Sequence, residues 1–199
     1  MEQNDAQIIE GCLRKDERAY RALYERYAPR LYGLCMRYTR TSAAAEDVLH
    51  DGFIKVFENL HRLRDVKLLE PWMRRIMVFT AVNAQRHELP VANSSEANYE
   101  CADENVSVDS VVASVDVSLL LDAMRKMPPS FRTVLNLCEV EGYTCEEAAK
   151  QMGIKPSSAR SALVRARKML VKMLLDRQQK PEKEPNNESP AAQSGECET

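Results

Sequence analysis

The stretch that most constrains the fold of this chain is Thr144 to Leu170, TCEEAAKQMGIKPSSARSALVRARKML. Thr144 stands where a helix would start, and Glu147, three residues on, completes a capping box in which each side chain satisfies a backbone donor of the first turn. Gly153 ends that helix, because glycine accepts the left-handed backbone of a helix stop. Pro156 and Ser157 then suit the entry and N-cap of a second helix after a short turn. In that helix Ala159, Leu163, Ala166 and Leu170 recur at i, i+4, i+7 and i+11, an apolar stripe expected to pack on Ala148, Ala149, Met152 and Ile154. At about 100° per residue, Arg160, Ser161, Val164, Arg165 and Lys168 fall on the opposite arc. A helix-turn-helix with such an arc can enter a major groove, where arginine bonds bidentately to guanine edges and lysine neutralises phosphate. The competing reading is a solvated basic face on an ordinary helical hairpin, but a hairpin needs no such coincidence of cap, turn and arginines.

Charge argues against a simple one-domain DNA binder, since the formal net charge is −2 and an isolated DNA-binding domain is usually basic. The charge is distributed in blocks. Residues 1–87 are net +3, residues 88–118 carry 7 acids and no base, residues 119–180 are net +6, and the tail from 181 is net −4. Residues 88–117, with Pro90, Asn93, Ser94, Ser95, Asn98 and Asn105, hold too few large apolar side chains to bury a core and read as a flexible linker. Its acids are expected to extend it by self-repulsion and keep the flanking domains apart. The tail, residues 179–199, is polar, Pro-rich and acidic, and is expected to be disordered.

No apolar run approaches the roughly 18 residues needed to span a bilayer, and Met1 is followed by acidic and polar residues, so no membrane insertion and a cytoplasmic location are expected. The 6 cysteines show no CxxC or Cys/His ligand spacing and read as reduced thiols. His50, His61 and His87 form no catalytic pattern and no glycine-rich phosphate loop exists, so neither a metal, a cofactor nor an enzymatic activity is expected.

Residues 1–87 are helical by pattern, without alternating strand segments. The expected helices are Asp5 to Leu13, Glu17 to Tyr27, Leu31 to Tyr38 opened by Pro29, Ala43 to about Leu60, and a fifth beginning near Pro71. In the fourth, Val48, Phe53, Val56, Phe57 and Leu60 supply the buried side, while Glu46, Asp47, His50 and Asp51 stand together outside. The fifth, WMRRIMVFTAVNAQRH, carries Arg74, Arg75 and Arg86, and the loop before it adds Arg62, Arg64 and Lys67. The fold expected is all-α, two helical domains at residues 1–87 and 118–178 joined by the linker.

With these segments in this order, the chain resembles the small sigma factors of bacterial RNA polymerase, the extracytoplasmic-function type of the sigma-70 family, over about Ile8 to Met173. The resemblance implies core RNA polymerase and promoter DNA as partners, with an anti-sigma factor as a further partner that it allows. It implies that a motif close to AEDVLHDGFIKVF contacts the polymerase clamp, through Asp47, His50 and Asp51. One close to WMRRIMVFTAVNAQR reads the minus-10 element, through Trp72, Arg74, Arg75, Asn83 and Arg86, with the Arg62, Arg64 and Lys67 loop capturing a flipped base. The segment from Met127 to Leu170 reads the minus-35 element: Arg160, Ser161, Val164 and Arg165 at groove-facing positions, Arg132, Arg167 and Lys168 as phosphate contacts. It also implies that the linker passes near the polymerase active-site channel.

From the residues themselves, Asp47, His50 and Asp51 also fit a solvated helix face, and Trp72 fits a core position as well as a stacking one. Phe79 stands where the family usually has Asn, Ala162 where Arg is common, and Pro156, Ser157 and Ser158 occupy a turn that often contains Gly, which leaves the promoter sequence unspecified. Two other functions fit parts of the pattern: a helix-turn-helix activator with an N-terminal sensing or dimerisation domain, and an interaction module that sequesters a partner without binding DNA.

Overall fold

The structure is a computed structural model that describes residues 4–86 and 116–178. Nearly all of the acidic linker and the whole acidic tail lie outside the described residues. The N-terminal unit holds α1 (Asp5–Leu13), α2 (Glu17–Tyr38), α3 (Ser42–Asn59), two short 3-10 turns at Leu60–Arg62 and Val66–Leu68, and α4 (Leu69–Ala84). The C-terminal unit holds α5 (Val117–Lys126), α6 (Pro129–Leu135) continued by a π turn at Asn136–Val140, α7 (Cys145–Met152) and α8 (Pro156–Gln178). Among the described residues there is no strand, so the fold is all-α, as expected.

Side-chain caps fix where the N-terminal helices start: Asn4, Asp16 and Thr41 each accept a backbone N–H of the turn that follows. Between them the four helices bury Ile8, Leu23, Leu34, Val56, Met73 and Met77 almost completely, and truncating such a side chain costs about 2–5 kcal/mol. Gly52 lets α3 and α4 approach closely, because a Cβ there would collide with Sδ of Met77. Two expected helices are in fact one. α2 runs through Pro29 without a break: that residue lies on the exposed side, while Leu23, Tyr27, Leu31 and Leu34 before and after it share one buried stripe. Packing on both halves outweighs the single hydrogen bond that proline removes.

In the C-terminal unit the capping box is formed, with the Glu147 amide donating to Thr144 Oγ1 at 3.2 Å and the Thr144 amide to Glu147 Oε2 at 2.9 Å. Gly153 takes φ 71° and ends α7 in the left-handed region. α8 starts two residues earlier than a Ser157 N-cap requires: Pro156 is its first residue, where the missing N–H is harmless, and Ser157 lies inside the first turn. Asp116 caps α5, so the last residue assigned to the linker, Val117, already belongs to a helix.

The two units are packed against each other, which corrects the expectation that the acidic linker holds them apart. Asn136 donates to the Arg37 carbonyl at 2.9 Å, Thr133 to Gln85 Oε1 at 3.0 Å, and Gln85 in turn to the Tyr38 carbonyl. These polar groups are buried at the junction, and pairing there removes their desolvation cost.

Candidate nucleic-acid interface

The polar arc on α8 emerges as its periodicity requires. Ala159, Leu163, Ala166 and Leu170 are buried, while Arg160, Ser161, Val164, Arg165 and Lys168 are exposed. Ala162, between the two arcs, is buried at 8 % exposure. Arg160 is held by Glu146 of α7, Nη2 to Oε1 at 2.7 Å, in a pair open to solvent on both sides. Arg167 donates through Nε to Glu139 Oε1 at 3.1 Å. Glu147, bonded by the Thr144 amide and hydroxyl, is held below the usual carboxylate range.

Arg132 departs from its expected role as a phosphate contact. Its side chain is 1 % exposed and donates to the Arg125 carbonyl at 3.3 Å, inside the α5–α6 corner. A guanidinium enclosed in this way holds helices together and does not reach DNA. The family resemblance placed it among the phosphate contacts; only the fold shows which side of α6 is covered.

The α4 surface combines cations with aromatic rings. Arg75 and Arg86 are exposed, Arg74 and Asn83 half-buried, and Arg62, Arg64 and Lys67 stand exposed on the turns that lead into the helix. Trp72 is half-buried and lines a cavity of about 490 Å³ together with Lys55, Arg62, Arg75, Phe79 and, from the other unit, Tyr143 and Gln151. Trp72 therefore packs partly against the core and also lines the cavity. Phe79, which was read from sequence only as a departure, is 50 % exposed beside it; an exposed large aromatic between arginines is a signal that a stacking search would find.

Arg74 is engaged. Its Nε donates to Glu141 Oε2 at 2.8 Å and its Nη2 to Glu141 Oε1 at 3.0 Å, while Arg37 Nη2 donates to the same Oε1 at 2.8 Å. The Glu141 side chain is 5 % exposed. Neither Arg37 nor Glu141 has a role legible in the sequence, because residues 104 apart meet only in the fold. Glu46, Asp47, His50 and Asp51 are exposed on α3, and the His50 ring stacks on Tyr24 with centroids 6.3 Å apart.

Cys12, Cys35, Cys138 and Cys145 are free thiols. Burial pushes Cys12 up to about 11 and Cys35 up to about 12. Burial, with the neighbouring Cys145, does the same to Cys138. Among the described residues no group of His, Cys, Asp and Glu could hold a metal ion, and no helix is long and apolar enough to cross a membrane.

Residues 23–88 match the family Sigma-70 region 2, and residues 118–170 match Sigma-70, region 4. The chain is 32 % identical to the RNA polymerase sigma factor CarQ of Myxococcus xanthus over 145 residues, 71 % of this chain and 81 % of that protein. It is 28 % identical to the ECF RNA polymerase sigma-E factor of Haemophilus influenzae over 177 residues, 83 % of this chain and 93 % of the relative. Among solved structures, the sigma factor RpoE of Bartonella quintana, crystallised with the anti-sigma factor NepR, is 18 % identical with a TM-score of 0.47, covering 78 % of this chain and 96 % of that one. With both region profiles matched in order across a shared chain length, this protein belongs to the sigma-70 family of RNA polymerase sigma factors, in its extracytoplasmic-function type.

Proposed function

We propose that this sigma factor divides promoter reading between two chemically different surfaces, α4 for a single strand at the minus-10 element and α8 for duplex at the minus-35 element. The carrying observation is the contrast between them. α4 sets Trp72 and Phe79 among Arg62, Arg74, Arg75 and Arg86, and aromatic faces flanked by arginines suit unstacked bases on a charged backbone. α8 offers Arg160, Ser161, Val164 and Arg165 from a convex helix with no ring on that arc, which suits base edges in an intact groove.

Opening the minus-10 region then follows from capture. Bases that leave the stack find Trp72, Phe79 and the Arg62, Arg64 and Lys67 turn, while Arg75, Asn83 and Arg86 track phosphate, so the separated strand is stabilised relative to duplex. Asp47, His50 and Asp51 meet core polymerase, and Arg167 and Lys168 anchor region 4 to phosphates beside the groove. The chain supplies binding and strand capture, and its own residues carry out no covalent step.

The test is transcription by reconstituted holoenzyme carrying Trp72→Ala or Phe79→Ala, on a duplex promoter and on the same promoter with a pre-opened bubble. Capture predicts a large loss on duplex DNA and recovery on the bubble. Equal activity of the variants and the parent on duplex DNA refutes the assignment of α4.

A further inference from the structure

The α4 surface proposed to read the minus-10 strand is turned toward the other half of the same molecule. Arg74 is occupied by Glu141, a cavity wall containing Trp72 and Arg75 is completed by Tyr143 and Gln151, and the Arg86 guanidinium lies so close to the helix-turn-helix corner that a Cβ on Gly153 would meet its Nη2 at 3.1 Å. A DNA strand cannot run along α4 while α7 and its preceding turn stand there.

This arrangement also cannot span a promoter. By their names the two elements lie about 25 base pairs apart, about 85 Å at ~3.4 Å per base pair. α8, with 23 residues, is only about 35 Å long at ~1.5 Å per residue, and its unit touches α4 directly. The two units must part before both elements are read.

The contact is made to be reversible. Its centre is one carboxylate shared by two arginines, flanked by neutral hydrogen bonds, and among the described residues Arg37 Nε, Tyr38 Oη and Asn136 Oδ1 are buried there without a hydrogen-bond partner. A junction that leaves such groups unpaired is weaker than a domain core. Two guanidiniums 2.8–3.0 Å from the two oxygens of one carboxylate form a seat for a bidentate anion, and phosphate offers a similar pair of oxygens.

We propose that the free chain is self-closed, with the Glu141 carboxylate occupying a phosphate seat formed by Arg37 and Arg74, and that promoter DNA takes this seat when the units part. Arg37, which no sequence motif marks, is then a DNA contact of region 2. Glu141 belongs to region 4 and blocks region 2 by imitating its ligand. This inference rests on the reading of α4 as the minus-10 surface.

The experiment uses the full chain without polymerase. Glu141→Gln keeps the shape and removes the charge, and Glu141→Lys sets it against the two arginines. Small-angle scattering and cross-linking between the units report closure, and anisotropy with a labelled single-stranded DNA of random sequence reports the seat. Both variants are expected to expand and to bind DNA about tenfold more tightly, a coupling of ordinary allosteric size. Adding Arg37→Gln to Glu141→Gln removes that gain while the chain stays expanded. The charge-swapped pair Glu141→Arg with Arg74→Glu closes again, which a variant that merely misfolds does not do.

Unchanged dimensions in both Glu141 variants overturn the closed state. Expansion without tighter DNA binding, or a gain that survives loss of Arg37, overturns the shared seat. Failure of the α4 reading is seen separately, as holoenzyme carrying Arg75→Ala that opens promoters like the parent.

Discussion

Replacing Arg160 by alanine separates the readout of bases from the stability of the domain, because the structure sets the two effects on different scales. In the free chain Arg160 bonds only across the surface, to Glu146 at 2.7 Å, with side chains 59 % and 67 % exposed. Such a pair contributes about 0–1 kcal/mol, and the melting temperature of Arg160→Ala should hardly move. A bidentate contact with a guanine edge discriminates by about 1–3 kcal/mol, roughly 5- to 150-fold at ~1.4 kcal/mol per factor of ten. Arg160 must leave Glu146 to make that contact, so the pair opposes DNA binding. Glu146→Gln should raise minus-35 affinity by up to about fivefold, the same ~1 kcal/mol with reversed sign. The assay is holoenzyme transcription on a series of promoters substituted one base at a time across the minus-35 element. Arg160→Ala is expected to flatten the preference at one position and leave the others. A uniform loss over the whole series would make Arg160 a phosphate anchor and refute the groove assignment.

Three further outcomes can be measured directly. Reversing Asp47 and Asp51 to Lys should weaken assembly with core polymerase in a pull-down, while thermal stability stays within about 0.5 kcal/mol, since both carboxylates are exposed. Thr144→Ala should cost about 1 kcal/mol through loss of the cap, and because the folded Glu147 carboxyl is held below its ordinary 4.5 by Thr144, its contribution is present above that value and lost as pH falls through the lower folded value, so acid melts of parent and Thr144→Ala should converge. Burial and the bond to Asp5 at 2.8 Å push Tyr27 from 10.0 up to about 12, so the stability it contributes is full below pH 10.0 and lost as pH rises through about 12; Tyr27→Phe should lack that alkaline loss in melts followed by circular dichroism.

How far the chain could be read in advance depended on whether each signal was local. Thr144, Glu147 and Gly153 act within a turn of themselves, and the α8 stripe depends only on helical period, so cap, stop and exposed arc all follow from short windows of sequence. Pro29 misled because a proline's local cost was weighed without the packing on either side of it, which keeps α2 continuous. Arg37 and Glu141 were illegible for a different reason: nothing in either neighbourhood encodes a partner 104 residues away. The α4 cations were legible as a cluster, whereas their engagement by the other half of the chain was not.

The enclosure of Arg132 has a consequence for how genetic data on this protein should be sorted. An alanine scan of region 4 scored by promoter activity would rank Arg132 with the recognition residues, since removing a guanidinium that is 1 % exposed and bonded to the Arg125 carbonyl undermines the whole helix-turn-helix. Arg132→Ala should lose activity on every promoter together with soluble yield and protease resistance, whereas the exposed arginines lose activity alone. A basic residue in a DNA reader thus divides by what surrounds it. An exposed arginine is open to nucleic acid, and this one addresses only the protein.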